Sequence, residues 1–272
     1  MKADLHMHTR QSDGRKTYKE VMDLAKKNGV DVISITDHDS IGPVVEMKDY
    51  AKKIGITYIP GIELSTIYKG KSVHVLGYFT NDQYLDPALK AYTKKIKKER
   101  EERARKMLAL LKEHFSIDIS YEAVEEEAHG IIARPHIAKA IIKKYPTYTH
   151  DEIFDTMIGD QCKAYLPSVE LSLDEGLSFL DRFSCLKVLA HPVLVKNHLK
   201  EEVFAREFDG IEAIYYQNQE EDTIRYLALA KDKGIFYTAG SDYHGIENDS
   251  KHGEIGTCTI SGPALEEFLG NF

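Results

Sequence analysis

The chain has 272 residues, a formal net charge of −8 and 42% hydrophobic residues, long enough for one large domain, or a domain carrying an insertion, with a core that needs no staples. The acidic balance gives no whole-protein field for nucleic acid or an anionic membrane, no apolar run approaches the ~20 residues of a membrane span, and the N-terminus lacks the basic-then-apolar layout of a secretion signal. Three cysteines, Cys162, Cys185 and Cys258, include no CxxC pair and suit a reducing compartment, so a soluble cytoplasmic protein is expected.

Ala3 to Met7 reads as a first strand. His6 and His8 are two apart on it, so both rings project from one face. Asp13 follows on a loop that Gly14 lets turn sharply. Thr17-Tyr-Lys-Glu20 is a capping box that opens a helix closed by Gly29. The β-branched run Val30 to Thr36 reads as a buried strand, and Pro43 starts a second helix that ends at Gly55. Ile56 to Ser65 and Ser72 to Phe79 read as two more strands. Such βα alternation argues for a parallel sheet or barrel.

The pattern changes at Asp86, where a long charged helix runs to His114. Shorter helical patterns follow at Tyr121–Ala128, Pro135–Lys144 and Asp151–Met157. Residues 86–180 therefore read as a helical insertion, and 1–85 with 181–272 as the domain it interrupts. Strands return at Lys187–Ala190, Gly210–Tyr215 and Ile235–Gly240, with a helix at Gln219–Lys233. The tail reads as a strand, Glu254–Ile260, and a helix, Pro263–Leu269.

Polar residues gather at strand ends on this map. Thr36-Asp-His-Asp39 follows the second strand, Glu63 the third, His191 the strand after the insertion, and Asp242 with His244 the last barrel strand; His74 lies on the fourth. The C-terminal ends of parallel barrel strands are where such folds build active sites. With His6, His8, Asp13 and His38 the set exceeds the roughly four to six ligands one divalent ion takes, so two or three ions sharing a carboxylate are expected. Mixed imidazole and carboxylate ligation suits manganese, iron or zinc.

Asp4-Leu-His-x-His, Thr36-Asp-His-Asp, Gly61-Ile-Glu, Ala190-His-Pro and Ser241-Asp-x-His resemble the motifs of the polymerase and histidinol phosphatase (PHP) superfamily. The resemblance spans essentially the whole chain. It implies a distorted (β/α)7 barrel with a helical insertion and metal-dependent phosphoester hydrolysis. It is most similar to the branch acting on nucleoside 3′,5′-bisphosphates, 5′-mononucleotides such as AMP, or short oligonucleotides. The resemblance implies His6, His8, Glu63 and Asp242 around a first ion, Asp13, His38 and His244 around a second, and Glu63, His74 and His191 around a third. Glu63 would bridge, and manganese is the favoured metal. Asp37 and Asp39 are expected either to orient neighbouring ligands or simply to bond their own loops.

The mechanism expected is direct attack by metal-activated hydroxide, with Glu63 and Arg134 carrying catalysis. Arg100, Glu101, Arg134 and His136 are the candidate substrate residues, with Arg103, three residues from Arg100 on the long helix, and Lys163 as further candidates. Arg134 sits at a helix start, where backbone N–H groups favour anions, and a guanidinium can clamp phosphate through two parallel bonds. The expected partner is a small phosphorylated molecule, a nucleotide, with no membrane and no stable duplex nucleic acid. Histidinol-phosphate hydrolysis, amidohydrolysis and a metal-stabilised, non-catalytic binding module are the alternatives.

Overall fold

The computed structural model describes residues 1–128, 130–167, 171–247 and 249–272. The chain divides into two compact units, Met1–Lys90 with Glu170–Phe272, and Ala91–Val169.

In the first unit the strands are β1 (Lys2–Asp4), β2 (Val32–Ile35), β3 (Thr57–Tyr68), β4 (Lys71–Phe79), β5 (Leu171–Ser172), β6 (Cys185–Leu189), β7 (Gly210–Tyr215), β8 (Phe236–Gly240) and β9 (Ile260–Ser261). The sheet runs β8-β7-β6-β4-β3-β2-β1-β9, with β5 pairing β3. It also curls back on itself. Leu5 N donates to Ala239 O at 3.0 Å, Asp242 N to His6 O at 2.9 Å and His8 N to Tyr243 O at 2.8 Å. These bonds join the chain after β1 to β8 and the residues that follow it, and nearly close a barrel.

The pairs β1–β2, β2–β3, β6–β7 and β7–β8 are parallel, but β4 is antiparallel to both β3 and β6. This departs from uniform βα alternation. The cause is local: Lys69 and Gly70 have φ of 47° and 73°, the two positive values a tight hairpin turn needs, so β3 turns straight into β4 without a crossover helix. The reversal also explains how His74 reaches the site. An antiparallel strand begins where its neighbour ends, and His74 pairs with Ser65 near the end of β3.

Helices α1 (Tyr18–Lys27), with its Thr17/Glu20 capping box, and α2 (Val44–Ile54) fill the first crossovers. Helix α3 (Pro87–Phe115) follows, then α4 (Tyr121–Ala128), α5 (Arg134–Lys144) and α6 (His150–Ile153). The helix expected over Asp151–Met157 loosens after Ile153 into a π-helical turn, Phe154–Ile158. Met107, Leu111, Val124, Ile137, Ile141, Ile153 and Ile158 are buried in the core of the second unit.

Helix α7 (Leu173–Leu180) belongs to the first unit, ahead of the boundary near 180 read from the sequence. Gly176 lets it approach β3 closely: a Cβ there would lie 2.5 Å from Thr66 Cγ2. Helices α8 (Lys200–Phe204), α9 (Glu220–Lys233) and α10 (Gly262–Leu269) complete the unit. The strand expected over Glu254–Ile260 is mostly a loop, and only Ile260–Ser261 pair with β1. Its backbone is used otherwise, Gly256 N donating to the buried Asp4 Oδ2 at 2.8 Å. The barrel core is Leu5, Val32, Ile59, Leu76, Tyr78, Val188, Ala239 and Phe268. No helix among the described residues is long and apolar enough to cross a membrane.

All three cysteines are free. Burial pushes the Cys185 and Cys258 thiols up to about 12, so neither supplies much thiolate near neutrality. Iodoacetamide at pH 8 is therefore expected to leave both unlabelled in the native protein and to label them after unfolding, as mass spectrometry would show. Rapid native labelling of either would contradict this.

Candidate metal centre

Each strand end delivers its side chains for a backbone reason. His6 and His8 follow β1, where the two-residue period points both rings inward, and both are fully buried. The loop after them folds tightly because Gly14 packs on it: a Cβ would sit 2.6 Å from the His8 carbonyl. Asp37 binds that loop together, accepting from Thr9 N at 2.7 Å, Thr9 Oγ1 at 2.7 Å and Ser12 Oγ at 2.6 Å. The loop after β2 is laced to β3 by Asp39 N to Glu63 O and Glu63 N to Asp37 O, and Asp39 Oδ1 accepts from Ser65 N. Asp37 and Asp39 thus act through loop hydrogen bonds, and these place His38 beside Glu63.

Glu63 is the hub. Its Oε2 lies 3.0 Å from His38 Nδ1, 3.1 Å from His8 Nε2 and 3.3 Å from His6 Nε2. Its Oε1 lies 2.8 Å from His74 Nδ1 and 3.0 Å from His191 Nε2. Asp242 Oδ1 is 3.0 Å from His8 Nε2 and 3.3 Å from His6 Nε2. Asp13 Oδ1 is 3.2 Å from His244 Nε2, and its Oδ2 is 3.8 Å from His38 Nε2. The structure therefore brings together His6, His8, Asp13, His38, Glu63, His74, His191, Asp242 and His244. The close groups are His6, His8, Glu63 and Asp242; His8, Asp13, His38 and His244; His38, Glu63 and His74; and Asp242, His244 and His252.

The electrostatics are those of packed opposite charges. Burial alone would raise the carboxyls of Glu63, Asp13 and Asp242, but the surrounding imidazoles hold all three well below their ordinary values. Burial works against charge on His38, yet Glu63 and Asp13 hold its pKa up at about 10. His244 is likewise held at about 9, with Asp13 the main partner. His74 goes the other way, lowered by burial.

The donor set fits divalent cations. It contains only imidazole nitrogens and carboxylate oxygens, converging from separate loops. Glu63 Oε2 and His38 Nδ1 are buried and close, yet neither has a properly directed hydrogen-bond partner. An ion between such atoms would satisfy both, where a hydrogen bond does not.

Several neighbours escaped sequence reasoning. Glu212 is fully buried against His6, Tyr215 OH donates to Asp242 Oδ2 at 3.0 Å, and His252 stacks on His244 with centroids 4.0 Å apart. His252 Nδ1 is 2.6 Å from Asp249 Oδ2, and its Nε2 is 4.0 Å from Asp242 Oδ2.

The candidate substrate residues lie in the second unit. Arg134 opens α5, and its Nη1 donates to Asp160 Oδ1 at 3.0 Å and Ile158 O at 3.4 Å. Its guanidinium lies 5.2 Å from the Tyr165 ring centroid and 5.8 Å from that of Phe154. Arg100, Glu101 and Arg103 are half-buried on α3, with Arg103 Nε donating to Leu166 O at 2.7 Å. Lys163 is exposed. His136 is buried, and its Nδ1 accepts from Ala133 N at 3.0 Å, a helix-cap role that the reading of it as a substrate contact did not anticipate.

A buried imidazole–carboxylate cluster at the strand ends of a distorted barrel defines a protein built to hold divalent metal ions. The chain belongs to the PHP domain family, whose model matches residues 4–157. It is 28% identical over 250 residues to a 3′,5′-nucleoside bisphosphate phosphatase of Chromobacterium violaceum, covering 89% of this chain and 86% of that protein. It is 26% identical over 249 residues to a 5′-3′ exoribonuclease of Haemophilus influenzae, covering 89% and 90% respectively. Among solved structures it is similar to a Chromobacterium violaceum amidohydrolase with bound sulfate and no metal, with a TM-score of 0.83 and 25% identity over 99% of this chain and 96% of that one.

Proposed function

We propose that this chain hydrolyses phosphomonoesters of nucleotides: nucleoside 3′,5′-bisphosphates, 5′-mononucleotides or short oligonucleotides. The observation that carries the reading is Glu63, whose two oxygens face two different sets of imidazoles, as a carboxylate shared between ions would. His6, His8, Glu63 and Asp242 would hold one ion, and Asp13, His38 and His244 a second. His74 and His191 would hold a third with Glu63, and manganese is favoured. Bound ions supply two things, a lowered pKa for water and neutralisation of the phosphoryl oxygens.

The chain's own side chains do the rest. Imidazoles and carboxylates line the cluster, and the Ser12 hydroxyl is committed to Asp37, which favours hydrolysis without a covalent enzyme intermediate. A phosphatase and an exoribonuclease among the relatives share a phosphate ester next to ribose, and this chemistry supports a nucleotide. Free thiols favour the cytoplasm as its location.

We assign substrate grip to the insertion and to Arg134 in particular. Its guanidinium is held by Asp160 beside two aromatic rings, so little orientation remains to be fixed on binding. Lysine cannot reproduce a bidentate clamp. Arg134→Lys is expected to lower kcat/KM by about tenfold or more, the scale of one lost charge-assisted hydrogen bond. Metal content should stay normal. Substitution of Arg100 should shift the preference between bisphosphate and monophosphate. Unchanged kinetics in both variants would remove the insertion from substrate recognition.

The overall reading is tested by phosphate release from the manganese-loaded protein with adenosine 3′,5′-bisphosphate, AMP, a short oligoribonucleotide and histidinol phosphate. Turnover of the last alone would replace the nucleotide reading.

A further inference from the structure

Glu212 is an acidic residue in the middle of an apolar strand, fully buried inside the barrel. Such a group survives only where both oxygens are satisfied. Its Oε1 lies 2.9 Å from His6 Nδ1, and its Oε2 accepts from the backbone N–H of His191 at 2.7 Å. Space for this arrangement is made by Gly240 on the next strand. A Cβ there would come within 2.5 Å of Glu212 Oε1 and 2.1 Å of His6 Cβ.

Each contact sets something the cluster needs. Once a bound ion displaces one proton from His6, a proton kept on Nδ1 and donated to Glu212 would leave the Nε2 lone pair on the side where Glu63 Oε2 and Asp242 Oδ1 both lie 3.3 Å away. His191 is a non-glycine residue at φ 28°, ψ 65°, a backbone conformation that needs outside support. Its N–H bond to Glu212 supplies that support, and the ring then reaches Glu63 Oε1 at 3.0 Å. His6 and His191 address opposite oxygens of Glu63.

We propose that Glu212 is the positioning residue of the centre: one carboxylate that fixes the ring of His6 and the backbone of His191, setting two ligands at once. This rests on the reading that these imidazoles bind ions. An amide cannot substitute. Glu212→Gln offers one acceptor and one donor where two acceptors are required. The backbone N–H of His191 cannot change, so it keeps the amide oxygen. The amide NH2 then faces His6 Nδ1, which must become an acceptor, and the ring proton moves to Nε2, where it occupies the lone pair that would ligate.

The test uses the full chain loaded with zinc, which is diamagnetic. Zinc affinity is measured by competition with a chelating dye, and 15N-imidazole correlation spectra report which nitrogen carries the proton. In the parent, His6 should hold its proton on Nδ1. In Glu212→Gln, zinc affinity should fall about ten- to a hundredfold, with the His6 proton on Nε2. Equal affinity in parent and variant would overturn the role of Glu212 while leaving the metal reading intact. A parent that takes up no zinc would overturn both. Should the variant fail to fold, the parent spectrum still decides, because a His6 proton on Nε2 there contradicts the proposal.

Discussion

Glu63→Gln is expected to lower kcat on the order of a hundredfold or more, about 2.7 kcal/mol of transition-state stabilisation. Both oxygens of Glu63 are engaged, one with His6, His8 and His38 and the other with His74 and His191. An amide removes the negative charge from the middle of the cluster and turns an NH2 group toward ring nitrogens that must present lone pairs. Whichever way it rotates, one set of imidazoles loses its shared ligand. His74→Gln removes a peripheral ring that touches Glu63 Oε1 and Ser72 Oγ, so its loss should be smaller. Kinetics and metal content measured on both variants check the order. A near-normal rate and metal content in Glu63→Gln would exclude a bridging carboxylate.

The cluster was legible in the sequence because its members sit beside recognisable strands. His-x-His uses the two-residue period of β1, and Thr36-Asp-His-Asp and Gly61-Ile-Glu lie against β-branched runs. Glu212 and Tyr215 were harder to see. They are three apart, and a regular strand would send them to opposite faces. An irregularity in the β7–β8 register between Glu212 and Ile214 resets the alternation, so one reaches His6 and the other Asp242. A carboxylate inside Gly-Ile-Glu-Ala-Ile-Tyr was the available signal. His252 and Asp249 lie on a loop with no periodicity, and only the fold brings His252 onto His244, with Asp249 holding its ring. The reversal of β4 was written in Lys69-Gly70, a turn pair that outweighs the parallel pairing expected from the βα alternation.

Metal removal is expected to abolish activity, and reloading should release protons. With no ion bound, carboxylates hold His38 at about 10, His244 at about 9 and His6 well above its ordinary value, so all three rings are protonated at neutral pH. A ligating imidazole must be neutral, and each ion that binds there displaces protons. Apparent affinity should therefore rise with pH across the neutral range, with about two to three protons released per chain near pH 7 when the sites fill. The same shifts set the stability of the stripped protein. Folded pKa values above the ordinary histidine value of 6.5 contribute stability that is complete below 6.5 and is lost as pH rises through about 9 to 10. From the acidic side, Glu63, Asp13 and Asp242 lose their contribution as pH falls through their lowered values. Stripped protein should thus melt at progressively lower temperature between pH 7 and 10, and bound manganese should offset the loss by mass action. Calorimetric titration in buffers of different ionisation enthalpy measures the proton count, and thermal melts with and without manganese measure the offset. Full activity after chelation, or binding that releases no protons at pH 7, would contradict metal ligation by these imidazoles.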